Sequence, residues 1–243
     1  MSEPDWASWS RRIADPVLLR LHEGLGLRER ENEVREIVSR SGPVGAVRVY
    51  DGDGIGAAVL THIDSPVLRI WQLVVFTPPT SAVPHLSFES SGSERGTWIS
   101  LDLVPRAGCL EEPAYTRHVY EPLSEPLWDL HAREDTRQAL IRARHRMRLS
   151  PWLATMRLDA ESAVEPARDL CLLYTEHFLG LVRDGIPAEA APSLDAAALA
   201  ARDVEQREQL YSWDATANYR FLALIDSEDL VDHVQRTLRT AGR

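Results

Sequence analysis

Glu89 ends a strand-like run, Pro84-His85-Leu86-Ser87-Phe88-Glu89, and a second run from Thr97 to Arg106 follows after a polar, glycine-containing turn. With period-2 alternation, Leu86, Phe88, Ile99, Leu101 and Leu103 fall on one face, and His85, Ser87, Glu89, Trp98, Ser100 and Asp102 on the other. The first face reads as core and the second as the floor of a site. A carboxyl held half-dry on such a floor has its charged form penalised, so its pKa rises and it can donate a proton near neutral pH. Closing the turn with Ser91 opposite Gly96 sets Glu89 beside Trp98, Ser87 beside Ser100 and His85 beside Asp102. The same alternation also describes a half-solvated antiparallel sheet whose outer face is simply polar.

Other residues have a chemistry of their own. Trp98 could stack on a flat ligand, as aromatic side chains do, or serve as an ordinary edge residue. The planar fork of Arg106 suits a ligand carboxylate, and equally an acid from the Glu111-Glu112 loop. A metal held by His85 and Glu89 is excluded if the strand holds, because residues four apart on a strand are about 13 Å apart. The other histidines show no ligand spacing, and no serine sits on a nucleophile-elbow motif.

Composition narrows the function further. All 27 basic residues are arginine, which excludes Schiff-base catalysis, a lysine-bound pyridoxal group and a phosphate-loop lysine. The loop Asp51-Gly52-Asp53-Gly54-Ile55-Gly56 lies between two strand-like runs and reads as a hairpin turn rather than a dinucleotide loop. A formal charge of −10 argues against nucleic acid as a partner. Arg142, Arg144, His145, Arg146 and Arg148 form a local exception, either a solvated helix end or a docking patch for an acidic partner. The two cysteines, Cys109 and Cys171, are too few for a disulfide framework. With no long apolar run and no secretory start, a cytoplasmic protein without a membrane partner is expected.

The elements that must carry these residues fall into three blocks of one domain, 1–243. Helical spacing fills 4–40. Alternating β-branched runs at 46–50, 55–62, 67–76, 85–90 and 97–104 place an antiparallel meander over 44–106. From 112 to 243 the chain reads as mainly helical, at 114–120, 123–144, 162–184, 194–224 and from Ser227, with a further strand near 151–158. Helices before and after one antiparallel sheet predict an α/β fold, a three-layer α-β-α sandwich. In that fold Glu89 lies under a helical layer, where an ionisable group is paired, neutralised or lining a cavity.

The segments VPHLSFE, SLDLVPRAGCLEEPAYTRHVYEPL and LSPWLATMRLDAESA, with a weaker continuation in YSWDATANYRFLALIDSEDL, resemble red chlorophyll catabolite reductase, a member of the ferredoxin-dependent bilin reductase superfamily. Pro84 and Glu89 match a proline at the start of the central strand with an acid five residues on, and Leu101-Asp102-Leu103-Val104-Pro105-Arg106 with Pro113-Ala114-Tyr115 match a second motif. The resemblance implies reduction of an open-chain tetrapyrrole by single electrons from ferredoxin, with no bound flavin or metal. It implies Glu89 and Asp214 as the catalytic carboxyls. Ser87, Trp98, Asp102, Arg106 and Asn218 are the side chains expected around such a substrate. Tyr211, Asp214 and Asn218 share one helical face that would roof the Glu89 floor. Arg142, Arg144, Arg146 and Arg148 would then dock ferredoxin. Many bilin reductases carry a histidine on the preceding strand, where this chain reads Trp71-Gln72-Leu73-Val74-Val75-Phe76, which favours the chlorophyll-catabolite branch. Two other readings stay open: an enzyme of the same fold acting on another planar nitrogen heterocycle, and a tetrapyrrole-binding protein without redox activity. A homodimer is also left open.

Overall fold

The computed structural model describes residues 5–39, 42–139, 146, 149–191, 194–210 and 228–242. Among the described residues nine antiparallel strands form one sheet: β1 (Arg28–Glu29), β2 (Arg35–Ser39), β3 (Gly42–Asp51), β4 (Ala57–Asp64), β5 (Leu68–Phe76), β6 (His85–Ser93), β7 (Gly96–Val104), β8 (Thr136–Gln138) and β9 (Ala154–Leu158). Their order is β1-β3-β4-β5-β6-β7-β9-β8, with β2 also paired to β3. The meander from β3 to β7 follows from alternating runs broken by short turns, as the sequence predicts.

Helices cover both faces, giving the three layers expected. On one side lie α1 (Trp6–Leu25), α2 (Pro113–Tyr120), α3 (Ser124–His131) and α4 (Val164–Asp184). Their apolar stripes close over Leu73, Phe88, Leu101 and Met156 in the larger core cluster. In α1 the stripe runs Trp9, Ile13, Val17, Leu21 and Leu25, one buried residue per turn. Asp5 Oδ1 accepts from the Ser8 amide at its start, and Gly26 in the left-handed region ends it. On the other side α5 (Ala196–Leu210) and α6 (Glu228–Thr240) pack Leu210, Val234 and Leu238 on Val47, Val59, Val74 and Phe76.

Two predicted helical stretches are corrected. After Gly26 the chain pairs along the sheet as β1 and β2. Its alternating charges are those of an edge strand, with Arg48 bound to Glu29 and Arg30 to Asp51 across the ladder. The helix predicted over 123–144 stops at His131, where the Thr136 hydroxyl donates to the Leu130 carbonyl at 2.9 Å, and β8 follows. The loop between Asp51 and Ala57 is a hairpin turn, with Gly54 at φ 74°.

Candidate active site

The sheet pleat sorts the central strands into one apolar and one polar row. Leu60, Leu73, Phe88, Leu101 and Ala154 stand opposite one another on five successive strands. One residue away on each strand, and therefore on the other face, Thr61, Gln72, Glu89, Ser100 and Thr155 form a second row. At the usual strand spacing this polar row is about 19 Å long, and Glu89 is its midpoint and its carboxyl group. Glu89 is half-buried, and the Ser91 hydroxyl donates to its Oε1 at 3.4 Å. Thr61 is buried, and its hydroxyl has no hydrogen-bond partner among the described residues.

The predicted faces are those observed, but the hairpin register is two residues further on. Glu89 stands opposite Ser100, Ser87 opposite Asp102 and Ser91 opposite Trp98. His85 pairs with Val104 instead of Asp102. The reason is Gly92, which belongs to the strand and not to the turn. A Cβ there would sit 2.5 Å from the Trp6 carbonyl oxygen, so this glycine lets α1 approach the hairpin. Ser90 and Thr97 donate to the Ser10 and Trp6 carbonyls beside it. The turn is therefore the two residues Glu94 and Arg95. Because the shift is even, no side chain changes face. Trp98, Ser100 and Asp102 flank Glu89 along β7.

Asp102 is almost fully buried and accepts two hydrogen bonds from Ser150, from the amide at 3.0 Å and the hydroxyl at 2.5 Å. Burial pushes its carboxyl up to about 7, against the lowering effect of those bonds. It is thus poised to exchange a proton near neutrality. Ser150 and Thr155 line a narrow cleft with Gln138, Leu153 and Arg146 at the β8–β9 side of the sheet. A larger groove runs between α3 and α4 past Pro126, Leu130 and Leu173, in the helical layer behind the apolar face and away from Glu89.

Arg106 has a different place from the one predicted. It is fully buried, and its donors are taken up within the protein. Nε reaches the Ser81 carbonyl, Nη2 the Pro79 and Leu199 carbonyls, and Nη1 donates to Asp203 Oδ1 at 2.9 Å and to Gln206 Oε1 at 3.5 Å. No N–H of the fork is left to take a ligand carboxylate. Asp203 also pairs with Arg207 at 2.9 Å, and the Arg207 guanidinium lies 3.8 Å over the Phe76 ring. The Thr77 amide donates to His85 Nδ1, so the neutral ring carries its proton on Nε2 and donates to Asp203 at 2.9 Å. Burial holds His85 down at about 4. Burial alone would raise the Asp203 carboxyl, but the His85 hydrogen bond and the two guanidinium charges hold it well below the usual carboxylate range. This cluster fastens α5 to the ends of β5, β6 and β7.

Of the remaining predicted residues, Ser87 and Trp98 are partly exposed on the Glu89 face, and Arg146 is exposed beside the cleft. Asp214, Asn218, Arg142, Arg144 and Arg148 lie outside the described residues. Thr61, Thr155, Ser150, Asp203 and Arg207 were not singled out from the sequence. The first two follow from strand register alone. Asp203 and Arg207 read as an ordinary i, i+4 ion pair until their burial is known. Among the described residues no three His, Cys, Asp or Glu side chains converge as metal ligands would, and no helix is long and apolar enough to cross a membrane.

No family profile and no curated protein matches the sequence. Solved structures do match, among them the selenomethionine form of phytochromobilin synthase from tomato in complex with biliverdin. It superposes with a TM-score of 0.73 at 15% identity, over 96% of this chain and 83% of that one. The chain thus shares the fold of that structure, a β-sheet held between two helical layers.

Proposed function

We propose that this chain is a reductase of the ferredoxin-dependent bilin reductase superfamily, acting on an open-chain tetrapyrrole of the red chlorophyll catabolite type. The observation that carries the reading is the row Thr61-Gln72-Glu89-Ser100-Thr155. It gives a flat, nitrogen-rich ligand a floor of hydrogen-bonding groups with one acid at its centre. The shared fold with a structure that holds biliverdin supports the ligand class. The stretch 71–76, where many bilin reductases carry a histidine and this chain has none, supports the chlorophyll-catabolite branch.

Reducing one double bond of such a ligand takes two electrons and two protons. The electrons arrive one at a time from reduced ferredoxin, with no bound flavin or metal. After the first transfer the ligand is a radical anion, and the Glu89 carboxyl gives it a proton and becomes a carboxylate. A second electron and a second proton complete the reduction, with Asp214 as the second acid. Ser87, Asn218 and the Gln72 amide hold the pyrrole N–H and lactam groups, and Trp98, two residues from Ser100 along β7, stacks beside the row. The arginines at 142–148 dock the acidic ferredoxin. Exposed Arg146 supports this, since the cleft it lines contains Thr155, the end of the Glu89 row.

The test is to mix purified protein with biliverdin and with red chlorophyll catabolite, follow the visible bands, and then add reduced ferredoxin. Binding shifts the bands, and reduction bleaches one of them with Glu89 intact. No shift with either pigment, and a clear shift with a smaller heteroaromatic, overturns the tetrapyrrole reading.

A further inference from the structure

Ser87, Glu89, Ser100 and Asp102 form a quadrilateral on one face of the β6–β7 ladder. Glu89 stands opposite Ser100 and Ser87 opposite Asp102. The two carboxyls therefore occupy one diagonal and the two hydroxyls the other. Diagonal neighbours across an antiparallel pair are about 7–8 Å apart, direct ones about 5 Å, and residues two apart along one strand about 7 Å. A hydroxyl thus stands between the two acids on either path.

The far side of Asp102 leads outward. Ser150 donates to it from both its hydroxyl and its amide, and Ser150 lines the narrow cleft with Arg146 and Thr155. The cleft is polar and slender, suited to water rather than to a ligand. We propose that Ser150 and Asp102 are the proton-supply arm of this site, carrying protons from the β8–β9 cleft to Glu89 through the Ser87 and Ser100 hydroxyls. The inference rests on the reading of Glu89 as the acid that protonates the ligand.

The transfers balance without any redox step. Once Glu89 has given up its proton, a serine hydroxyl passes its proton to the Glu89 carboxylate and takes one from Asp102. Asp102, now ionised, receives the Ser150 hydroxyl proton along the hydrogen bond already present, and water in the cleft reprotonates Ser150. Each O–H bond broken is matched by one formed, and the net change is one proton from solvent to Glu89.

The surroundings of Asp102 suit a reservoir. The titratable groups facing it are Tyr120 of α2, Tyr174 of α4 and Cys109 of the loop after β7, and burial raises all three, so they are neutral near pH 7. With its carboxyl pushed up to about 7, Asp102 can give and regain a proton within the working pH range.

The experiment uses the full chain and two variants, Asp102→Asn and Ser150→Ala. First, infrared difference spectra between pH 5 and pH 9, without any ligand, should show a protonated carboxyl band that is lost with a midpoint near 7 and is missing in Asp102→Asn. Second, with ferredoxin and a reducible tetrapyrrole, Asp102→Asn should bind pigment normally and give a normal first protonation in a single turnover. Its steady-state rate should drop by about tenfold to a hundredfold and lose its pH dependence near 7. Ser150→Ala should slow the steady state less and leave the carboxyl band in place, at a shifted midpoint. If Asp102→Asn fails to fold, the infrared band in the wild type and the rate of Ser150→Ala still decide the matter. A wild type with no carboxyl titrating near 7, or variants with unchanged steady-state rate and pH profile, overturns the supply arm alone. Absence of turnover with every tetrapyrrole overturns the reductase reading, and the supply arm with it.

Discussion

His85 Nε2 lies 2.9 Å from Asp203 Oδ1, joining β6 to α5 across 118 residues of chain. That bond is one of several to the same carboxylate, which also receives Arg106 and Arg207. All four side chains are buried. Replacing Asp203 with Asn leaves two buried guanidinium groups without their shared anion, and breaking a buried pair in this way costs about 3–5 kcal/mol. Urea denaturation should show a loss of that size for Asp203→Asn. A loss below about 1 kcal/mol, no more than a surface pair gives, would mean the cluster does not hold α5 in place.

The pH dependence of stability should contain two opposing slopes. His85 protonates at about 4 in the folded chain against an ordinary 6.5, so between those values the unfolded chain binds more protons and stability rises with pH. Asp102 is the reverse case. It protonates at about 7 when folded against an ordinary 3.8, so the folded chain binds more protons and stability falls as pH rises from about 4 to about 7. Each slope is about 1.4 kcal/mol per pH unit at its steepest, and they cancel over most of pH 4–6.5. Asp102→Asn removes the falling slope. Its denaturation midpoint should therefore climb from pH 4.5 to pH 6.5, where the wild type stays nearly flat.

The period-2 pattern was enough to sort the β6 and β7 side chains between core and site, because one residue of alternation decides a face. The register was harder to read. Gly92 looks like a turn residue until the Trp6 carbonyl is seen against it, and that contact with α1 is 86 residues away in sequence. Charge patterns were the least legible. The alternating acids and arginines of 28–39 belong to edge strands and not to a helix, and Asp203 with Arg207 is a buried clamp and not a solvated pair. Arg106 suits a ligand carboxylate or a loop acid equally well in sequence, because a strand-end arginine gives no sign of how many carbonyls surround it. Thr61 and Thr155 became part of the site only through pairing, which places five residues spread over 94 positions in one line.

Gly92 offers a direct test of the α1 contact. Gly92→Ala places a methyl group 2.5 Å from backbone oxygen and 2.8 Å from the Ser10 hydroxyl, and neither the strand nor the helix can yield cheaply. Overpacking of this kind costs about 1–3 kcal/mol. Thermal melting should show the loss, with the circular dichroism of the sheet retained. Gly96→Ala, at the turn with φ 129°, should lose stability through backbone strain instead, so its loss should be unchanged when Ser10 is shortened to Ala, whereas Gly92→Ala should regain only the part due to the Ser10 hydroxyl and keep the part due to the Trp6 carbonyl.

Glu89→Gln separates binding from protonation. Gln is nearly isosteric with Glu, and the neighbours Gln72, Ser100 and Ser91 can hydrogen-bond to either, so the floor and its affinity for pigment should survive. The amide cannot donate an acidic proton, and loss of a positioned general acid costs about a hundredfold or more in rate. The variant should give an unchanged visible-band shift on binding, accumulate the one-electron-reduced pigment when ferredoxin is supplied, and fail to complete the reduction. Electron paramagnetic resonance would detect that radical. Normal turnover by Glu89→Gln would remove Glu89 from the chemistry and leave the polar row as a binding surface only.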